Sequence, residues 1–317
     1  MKYFSRLKKS VKTTVKSPVN LRNYKGLIRK AVVLGIFLLL VSGYLSYTRL
    51  YLSPQRRFWM AIENNLSTSS VVRETESGGT GNKTVETTRF AFGAQAVQDK
   101  INNVSLKSAT AESNVTTETV MTLSEQFVRY NNIFSTEKKT DGSNYNFAAI
   151  QGVWAKQDAA TGAAGRDEQR LTYIQPLITL APFGNLTPRA RRAIVKKLKD
   201  NNVYTVDFAH PAYDDSTGEM LTTYDVSVKT KRYVTVLQDY LKDAGFGSYS
   251  AINPSAYPDS AEVQANFIIR QRNSTIASLV FSNQTENYSD YGITQPLKLP
   301  SKTVSLSELQ NRLQSAQ

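Results

Sequence analysis

The chain has no cysteine and only one histidine, and these two absences exclude several kinds of protein. Without cysteine it forms no disulfide bond and carries no lipid on an N-terminal cysteine. Zinc sites usually need several histidine or cysteine ligands, and this chain offers only His210. An exported domain of this composition is held together by its hydrophobic core alone. That argues against an animal ectodomain, where disulfides are expected, and favours a bacterial envelope protein.

Acidic residues are absent from residues 1–30, which hold ten of the 39 basic residues of the chain. The rest of the sequence has 29 basic and 26 acidic residues, so most of the net charge of +13 belongs to this basic arm. Nucleic-acid-binding domains instead carry a surplus of basic residues in the folded domain itself. We therefore predict no nucleic-acid partner.

Charged residues are also absent from Ala31–Thr48, the most apolar stretch of the chain. Its eighteen residues would extend about 27 Å as a helix, roughly the thickness of a bilayer core. The positive-inside rule then places the basic arm in the cytoplasm and the remainder outside. The sequence predicts a cytoplasmic arm (1–30), one transmembrane signal anchor (31–48) and an extracytoplasmic domain (49–317) in the cell (inner, cytoplasmic) membrane. A cleaved signal peptide is the alternative, although Ser46-Tyr47-Thr48 is a poor match to its Ala-x-Ala cleavage site.

Sequence motifs of catalysis are missing too. The chain has no Gly-x-Ser-x-Gly motif, and the glycines at 78–81 lack the Lys-Ser/Thr of a phosphate-binding loop. His210 has Asp207, Asp214 and Asp215 nearby, as a general base or a metal ligand would. Asp214, Asp215 and Glu219 are a candidate calcium set, but their spacing is not that of an EF-hand. We interpret this stretch as a solvated turn. The sequence therefore predicts no enzyme, no cofactor and no metal site.

Beyond the apolar stretch, the spacing of apolar residues changes from a helical period to the period of two that is typical of strands. Ser53-Pro54 begins a short amphipathic helix with apolar residues at Phe58, Ile62 and Leu66. Segments rich in Val, Thr, Tyr and Phe follow and alternate with period two, which predicts antiparallel strands. These segments are 70–76, 83–92, 103–108, 114–122 and 126–133, with a further hairpin over 145–157.

The second half of the sequence predicts more helices than the first. Small residues at 159–165 are interpreted as a linker, and Thr187-Pro188 begins a helix whose exposed positions are strongly basic. Strands over 203–208 and 223–228, a helix over 232–244, strands over 263–270 and 275–282, and a final short helix complete the order. One covered sheet face needs helices to cover it. The predicted fold is α+β: a large curved antiparallel sheet, or half-barrel, with helices on its concave face, preceded by the transmembrane helix.

This order of elements resembles the LolA/LppX-like lipoprotein-carrier superfamily. The resemblance covers roughly residues 53–300 and is carried by Phe58-Trp59, Gly152-Val153-Trp154, the 224–228 strand and the closing Tyr288-Ser289-Asp290-Tyr291-Gly292. It implies an open half-barrel that wraps helices and encloses an apolar cavity for acyl chains. The chain departs from the family in its predicted helical anchor, since other members are soluble or tethered by a lipidated cysteine.

Two candidate sites follow. The first is a cavity lined by apolar side chains, for which we name Phe58, Ile62, Trp154, Ile178 and Phe183. The second is an anion-binding surface on the basic helix, formed by Arg189, Arg191, Arg192, Lys196, Lys197 and Lys199. The leading hypothesis is a non-enzymatic, membrane-tethered protein that binds a lipid, lipoprotein or other apolar ligand between sheet and helices. The alternative is an envelope scaffold with a filled core that holds a secretion or cell-wall partner by its surface.

Overall fold

A computed structural model describes residues 30, 32–44, 54–79, 82–92, 101–157, 162–175, 178–243, 252–293 and 297–316. The chain divides into two compact units, residues 1–53 and residues 54–317. Every strand named below and both hydrophobic clusters lie in the second unit. That unit therefore has its own core, the property expected of a domain that folds by itself.

In the first unit, residues 32–44 form a helix, α1, whose apolar side chains are exposed. The prediction of a spanning helix over 31–48 falls partly outside the described residues, as does the basic arm up to residue 29. Among the residues that the structure does describe, no helix is long and apolar enough to cross a membrane.

The second unit is built on one open sheet. Its described residues form twelve strands in the order β12-β6-β5-β4-β3-β2-β1-β11-β10-β9-β8-β7. All neighbouring pairs are antiparallel except β12 and β6. The strands are β1 (Ser70–Gly79), β2 (Asn82–Ala91), β3 (Ile101–Ala109), β4 (Ser113–Met121), β5 (Gln126–Ser135), β6 (Ala155–Lys156), β7 (Tyr204–Asp214), β8 (Glu219–Lys229), β9 (Glu262–Arg270), β10 (Thr275–Phe281), β11 (Gln284–Ser289) and β12 (Val304–Ser305).

The α-helices of this unit pack against one face of the sheet, called here the inner face. They are α2 (Pro54–Asn65), α3 (Gly162–Ile174), α4 (Pro188–Asp200), α5 (Thr230–Asp243) and α6 (Leu306–Ala316). Residues that lie directly opposite in antiparallel strands point to the same face, so the register identifies the inner face as the one carrying Val71, Phe90, Phe267 and Tyr288. The predicted α+β class with a large curved sheet is confirmed.

A dense aromatic core fills the inner face over β7–β10. Phe58 of α2 lies edge-on to Tyr204 and Phe267, with ring centroids 5.4 and 5.2 Å apart. The apolar stripes of α4 and α5 cover the same region. α4 begins as the sequence predicts, because Thr187 accepts a hydrogen bond from the N–H of Ala190 and proline follows it.

The other edge of the sheet has a small cluster of its own. Leu309 of α6 packs with Ile150 and Ala155, and Val128 and Tyr130 of β5 lie against them. The predicted hairpin over 145–157 is wrong. Only Ala155–Lys156 is a strand, and it lies between β5 and the parallel β12, so its pairing partners are far away in the sequence. The predicted linker over 159–165 is also wrong from Gly162 onward, where α3 begins.

Candidate functional site

The helices cover the inner face only in part over β1–β5, and a groove lies there beneath α3. The groove has a volume of about 520 Å³, within the range of ligand sites in proteins. Its floor comes from β1–β5 and β11, and its wall from the end of α3 and the residues that follow. The lining residues are Arg73, Thr75, Glu86, Val104, Thr119, Met121, Gln126, Thr172, Gln175, Ile178, Gln284 and Glu286.

Of the described side chains of α3, those of its last turn are anchored in the core. Tyr173 and Ile174 are buried there, whereas Asp167, Glu168 and Arg170 are exposed. The Gln169 amide also donates a hydrogen bond to the carbonyl of Ser124, 3.0 Å away, in the turn between β4 and β5. The helix thus touches the sheet at both sides of the groove and leaves space between.

The floor of the groove holds a buried ionic network. Arg73 Nη2 lies 3.2 Å from Glu86 Oε1, and Arg73 Nη1 lies 3.7 Å from Glu286 Oε1. The side chains of Arg73 and Glu286 are 6% and 3% exposed, whereas that of Glu86 is 33% exposed and faces the groove. The guanidinium also sits 5.8 Å from the centre of the Phe90 ring. Arg73 is therefore held between the filled core and the groove.

Glu286 is the most deeply placed carboxylate of the network. Its oxygens accept hydrogen bonds from Tyr288 Oη (2.5 Å) and from Gln284 Nε2 (3.0 Å). Burial raises the pKa of Glu286, and the nearby Glu86 raises it further, while Arg73 and the Tyr288 hydrogen bond act in the opposite direction. Burial also raises the pKa of Tyr288, with the Glu286 charge as the second cause. Tyr288 consequently stays a neutral donor.

The structure separates the five residues predicted to line a cavity. Phe58, Ile62 and Phe183 are fully buried in the aromatic core, where Phe183 contacts the Phe90 ring at 4.8 Å. Ile178 lines the groove. Trp154 lies 4.5 Å above the guanidinium of Arg129.

That contact places Trp154 on the opposite face of the sheet. Arg129 alternates with Val128, an inner-face residue of the same strand, and therefore points outward. On this outer face Arg129 and Asn131 hydrogen-bond to Glu118, as does Asn103. Burial raises the pKa of Glu118, but these hydrogen bonds together lower it. The outer cluster is a satisfied polar network rather than part of the groove.

Most of the basic helix surface is already paired. Arg191 lies 3.2 Å from Glu63, and Lys197 lies 2.7 Å from Asp239. Lys196 pairs with Asp200, and Lys199 sits 4.9 Å from the centre of the Trp59 ring. Within the described part of the chain, Arg189 and Arg192 have neither a carboxylate partner nor an aromatic ring beneath them. They are the two cations of the predicted set that remain available to an external anion.

The prediction of a turn around His210 is wrong, because His210 lies within β7 and is paired with Thr223 of β8. His210 Nε2 lies 3.7 Å from Asp225 Oδ2, and both side chains are exposed. Asp214 accepts hydrogen bonds from Ser216 and Thr217, which lowers its pKa. Glu219 pairs with Arg270 at 3.1 Å. Across the described residues, no three His, Cys, Asp or Glu side chains are grouped closely enough to hold a metal ion.

Sequence reasoning missed the charged floor of the groove. Arg73 and Glu74 are neighbours in β1 and therefore point to opposite faces of the sheet. Both sets of alternating positions in this strand contain polar residues, so the pattern does not tell which of the two points inward. β11 was not predicted as a strand, and with it Glu286 was overlooked. The available signal was the Glu-Asn-Tyr sequence at 286–288, in which a carboxylate and an aromatic ring alternate at strand spacing.

Fold and site together define a class of protein: an open curved sheet whose inner face is partly filled by helices and partly left as a ligand-sized groove. The structure is similar to the crystal structure of LprF from Mycobacterium bovis, with 12% sequence identity and a TM-score of 0.35, over 78% of this chain and 97% of that chain. No protein-family model and no curated protein matches the chain.

Proposed function

We propose that this chain is a membrane-tethered extracytoplasmic protein that binds a lipid, lipoprotein or other ligand with an apolar part in the groove beneath α3. The observation that carries the proposal is the groove itself. The described strands and helices leave a space of about 520 Å³ open beside the core, whereas protein interiors are otherwise densely packed. A bound ligand would fill it.

The lining is suited to a ligand with both apolar and polar parts. Val104, Met121 and Ile178 supply apolar surface, and Ile178 is 39% exposed although it is a large aliphatic residue. Burying such side chains against a ligand is favourable by roughly 25 cal/mol for each Å² covered. Methionine adapts its shape to different partners, which suits a site that accepts chains of varying length.

The proposed tether is the uncharged stretch 31–48. The sequence supports it by the basic arm on one side and the absence of charge within it. The described part of that stretch, α1, exposes valine, leucine and phenylalanine side chains along its length. Such a surface is unfavourable in water and favourable in lipid. The groove-bearing unit begins at Pro54, shortly after the stretch ends.

Native mass spectrometry with organic extraction tests the proposed ligand binding. Residues 51–317 would be purified from a bacterial host without detergent. We expect co-purified acyl-chain lipid at close to one per protein. A protein that leaves purification without lipid, and takes up none when lipid is added, contradicts the proposal.

A pair of variants assigns the ligand to the groove. Thr119→Trp fills the groove from β4, and we expect it to abolish lipid retention. Thr87→Trp makes the same change on the outer face of β2, because Thr87 alternates with the inner-face Glu86 and Thr88. It should leave lipid retention unchanged. Equal retention by the two variants would mean that the ligand sits elsewhere.

A second candidate function, a scaffold that binds an anionic envelope partner, is favoured by the two arginines of α4 that pair with no described carboxylate. Arg189 and Arg192 are exposed on the same helix, three residues apart. If they hold an anionic partner, Arg189→Gln with Arg192→Gln should abolish binding to anionic lipid vesicles or cell-wall polymer. The same double variant should leave lipid retention in the groove unchanged, so the two functions are separable.

A further inference from the structure

The groove has a polar floor, which is unexpected for a site that only houses an acyl chain. Nine of the twelve described lining residues have polar side chains, and the three apolar ones contribute from β3, β4 and the segment after α3. Hydrocarbon placed against this floor would leave hydroxyl, amide and carboxylate groups without water or partner, which is costly. The polar part of a ligand is the better match.

The charges of the floor decide which polar group fits. The positive charge of Arg73 faces two carboxylates, Glu86 and Glu286, so the network has no surplus positive charge. Glu286 is buried and its two oxygens are committed to Arg73, Gln284 and Tyr288. Among the described lining residues, an anionic group entering the groove would meet no cation other than Arg73, and it would lie close to Glu86.

Glu86 is the carboxylate that remains open to a ligand. Its Oε1 accepts hydrogen bonds from Arg73 Nη2 and from Thr88 Oγ1, at 3.2 and 2.9 Å. No described residue donates to its Oε2. The side chain is one-third exposed and lines the groove. A hydroxyl or amide N–H of a ligand would complete its hydrogen bonding.

The rest of the lining is suited to the same chemistry. Three threonine and three glutamine side chains surround the floor, and hydroxyl and amide groups both donate and accept hydrogen bonds: Thr75, Thr119, Thr172, Gln126, Gln175 and Gln284. The hydroxyl of Thr75 is buried and has no hydrogen-bond partner among the described residues. Neutral hydroxyl or amide groups are therefore better recognised here than ionised ones.

We propose that the groove selects an amphiphile whose uncharged, hydrogen-bond-donating head lies inside, against Glu86, and that Glu86 excludes ligands with anionic heads. This inference rests on the proposed function, since it concerns the same groove. It adds the orientation of the ligand and the chemical class of its head. The apolar tail then lies along Val104, Met121 and Ile178 toward the open side.

Two probes with the same dodecanoyl chain test the selectivity. Monolaurin has a neutral glycerol head with two hydroxyls, and laurate has a carboxylate. Binding to residues 51–317 would be measured by calorimetry at about pH 8, where laurate is ionised, and below the micelle concentration of each probe. We expect monolaurin to bind at least about tenfold more tightly, because like charges repel in a partly desolvated site. Equal binding, or tighter laurate binding, overturns the inference.

Glu86→Gln locates the selectivity in one side chain. The variant keeps an amide oxygen for Arg73 and Thr88 but removes the negative charge. We expect laurate binding to tighten by about tenfold and monolaurin binding to change by less than about threefold. Glu137→Gln, at an exposed position after β5, removes the same charge elsewhere and should change neither. Unchanged laurate binding in a folded Glu86→Gln protein would remove Glu86 from the argument.

The outcomes separate this inference from the proposed function. If both probes bind and laurate is not disfavoured, the groove holds an amphiphile but does not select its head in the way argued here. If neither probe binds to the wild-type protein, the proposed function fails and the inference fails with it. The comparison of the two probes uses wild-type protein, so it does not depend on the folding of any variant.

Discussion

One row of side chains crosses the inner face of the sheet and changes character at β11. Tyr224, Phe267 and Leu279, on β8–β10, are fully buried. Next in the row come Glu286, Thr75 and Glu86, and then Leu106, which is 38% exposed. The inner face of the sheet therefore carries a packed core at one end of this row and an open groove at the other.

The difference follows from where the helices can bury apolar residues. β8–β10 offer an aromatic and aliphatic surface, and α2, α4 and α5 each have an apolar stripe that packs on it. The inner positions of β1–β4 are rich in threonine and charge, and helix packing there would bury polar groups without partners. Only the last turn of α3 reaches the core. The strands' composition, rather than a shortage of helix, keeps the groove open.

The largest effect expected from this comparison is on stability. Phe58→Ala should lower the free energy of unfolding by about 3–5 kcal/mol, because it leaves a cavity among close-packed rings. Leu106→Ala, in the same row on the groove side, should cost less than about 1 kcal/mol. Urea denaturation of residues 51–317, followed by fluorescence, measures both. Similar losses for the two variants would mean that the two sides of the sheet are equally packed.

The ionic network at the boundary gives the second prediction. Arg73→Met should destabilise the protein by about 3–5 kcal/mol, because it leaves Glu286 buried and opposite no positive charge. The same denaturation assay measures this loss. Adding Glu286→Leu to Arg73→Met should recover most of it, since the buried charge is then gone. If the double variant is no more stable than Arg73→Met alone, the network does not act as a buried pair.

The segment 178–184, which connects α3 to α4 along the boundary, gives a smaller effect. Tyr233 and Tyr240 donate hydrogen bonds to the carbonyls of Thr179 and Phe183. Replacing either tyrosine with phenylalanine leaves a buried carbonyl unpaired and should cost about 1–3 kcal/mol in urea denaturation. Tyr213→Phe, on an exposed side chain, is the control and should change stability by less than about 0.5 kcal/mol. Equal effects would show that this segment is not held by the tyrosines.

The filled side of the sheet could be predicted from the sequence better than the groove side. Period-two alternation located β1–β5 and β7–β10, and capping residues located the start of α4, because these signals are local. Phe58 and Ile62 lie on a helical stripe, and such stripes point to a core more reliably than to a cavity. That is why both were predicted inside the fold, although the structure puts them in packed core rather than beside the groove.

The groove depended on information that is not local. α3 begins in a run of small residues, and its last turn, with the buried Tyr173 and Ile174, gives little periodicity. The ionic floor joins Arg73 to Glu286, which are more than two hundred residues apart and meet only because β1 pairs with β11. A short strand so late in the chain has no sequence signal for its partner. Sheet order, not residue pattern, creates the site.

The smallest predicted effect concerns the pH dependence of stability that comes from Glu286, which lies between the packed core and the groove. Burial, assisted by the nearby Glu86, raises the pKa of Glu286 above its usual value, although Arg73 and Tyr288 oppose this. A carboxyl whose pKa is raised in the folded state favours folding most below its unfolded pKa, and this contribution is lost as pH rises through the folded pKa. Glu118, on the outer face, has a lowered pKa and acts in the opposite sense. The pH dependence of the unfolding free energy therefore contains both contributions, one from Glu286 and one from Glu118.

A difference between variants isolates the Glu286 contribution. Glu286→Gln keeps the shape but cannot titrate, whereas Glu118 is the same in both proteins. On acidification from about pH 7 to about pH 5, the unfolding free energy of the wild type should rise relative to that of Glu286→Gln. Parallel urea titrations of the two proteins measure this. A difference that stays constant with pH would mean that Glu286 keeps an ordinary pKa. The charged floor would then belong to the solvent-exposed groove rather than to the border between groove and core.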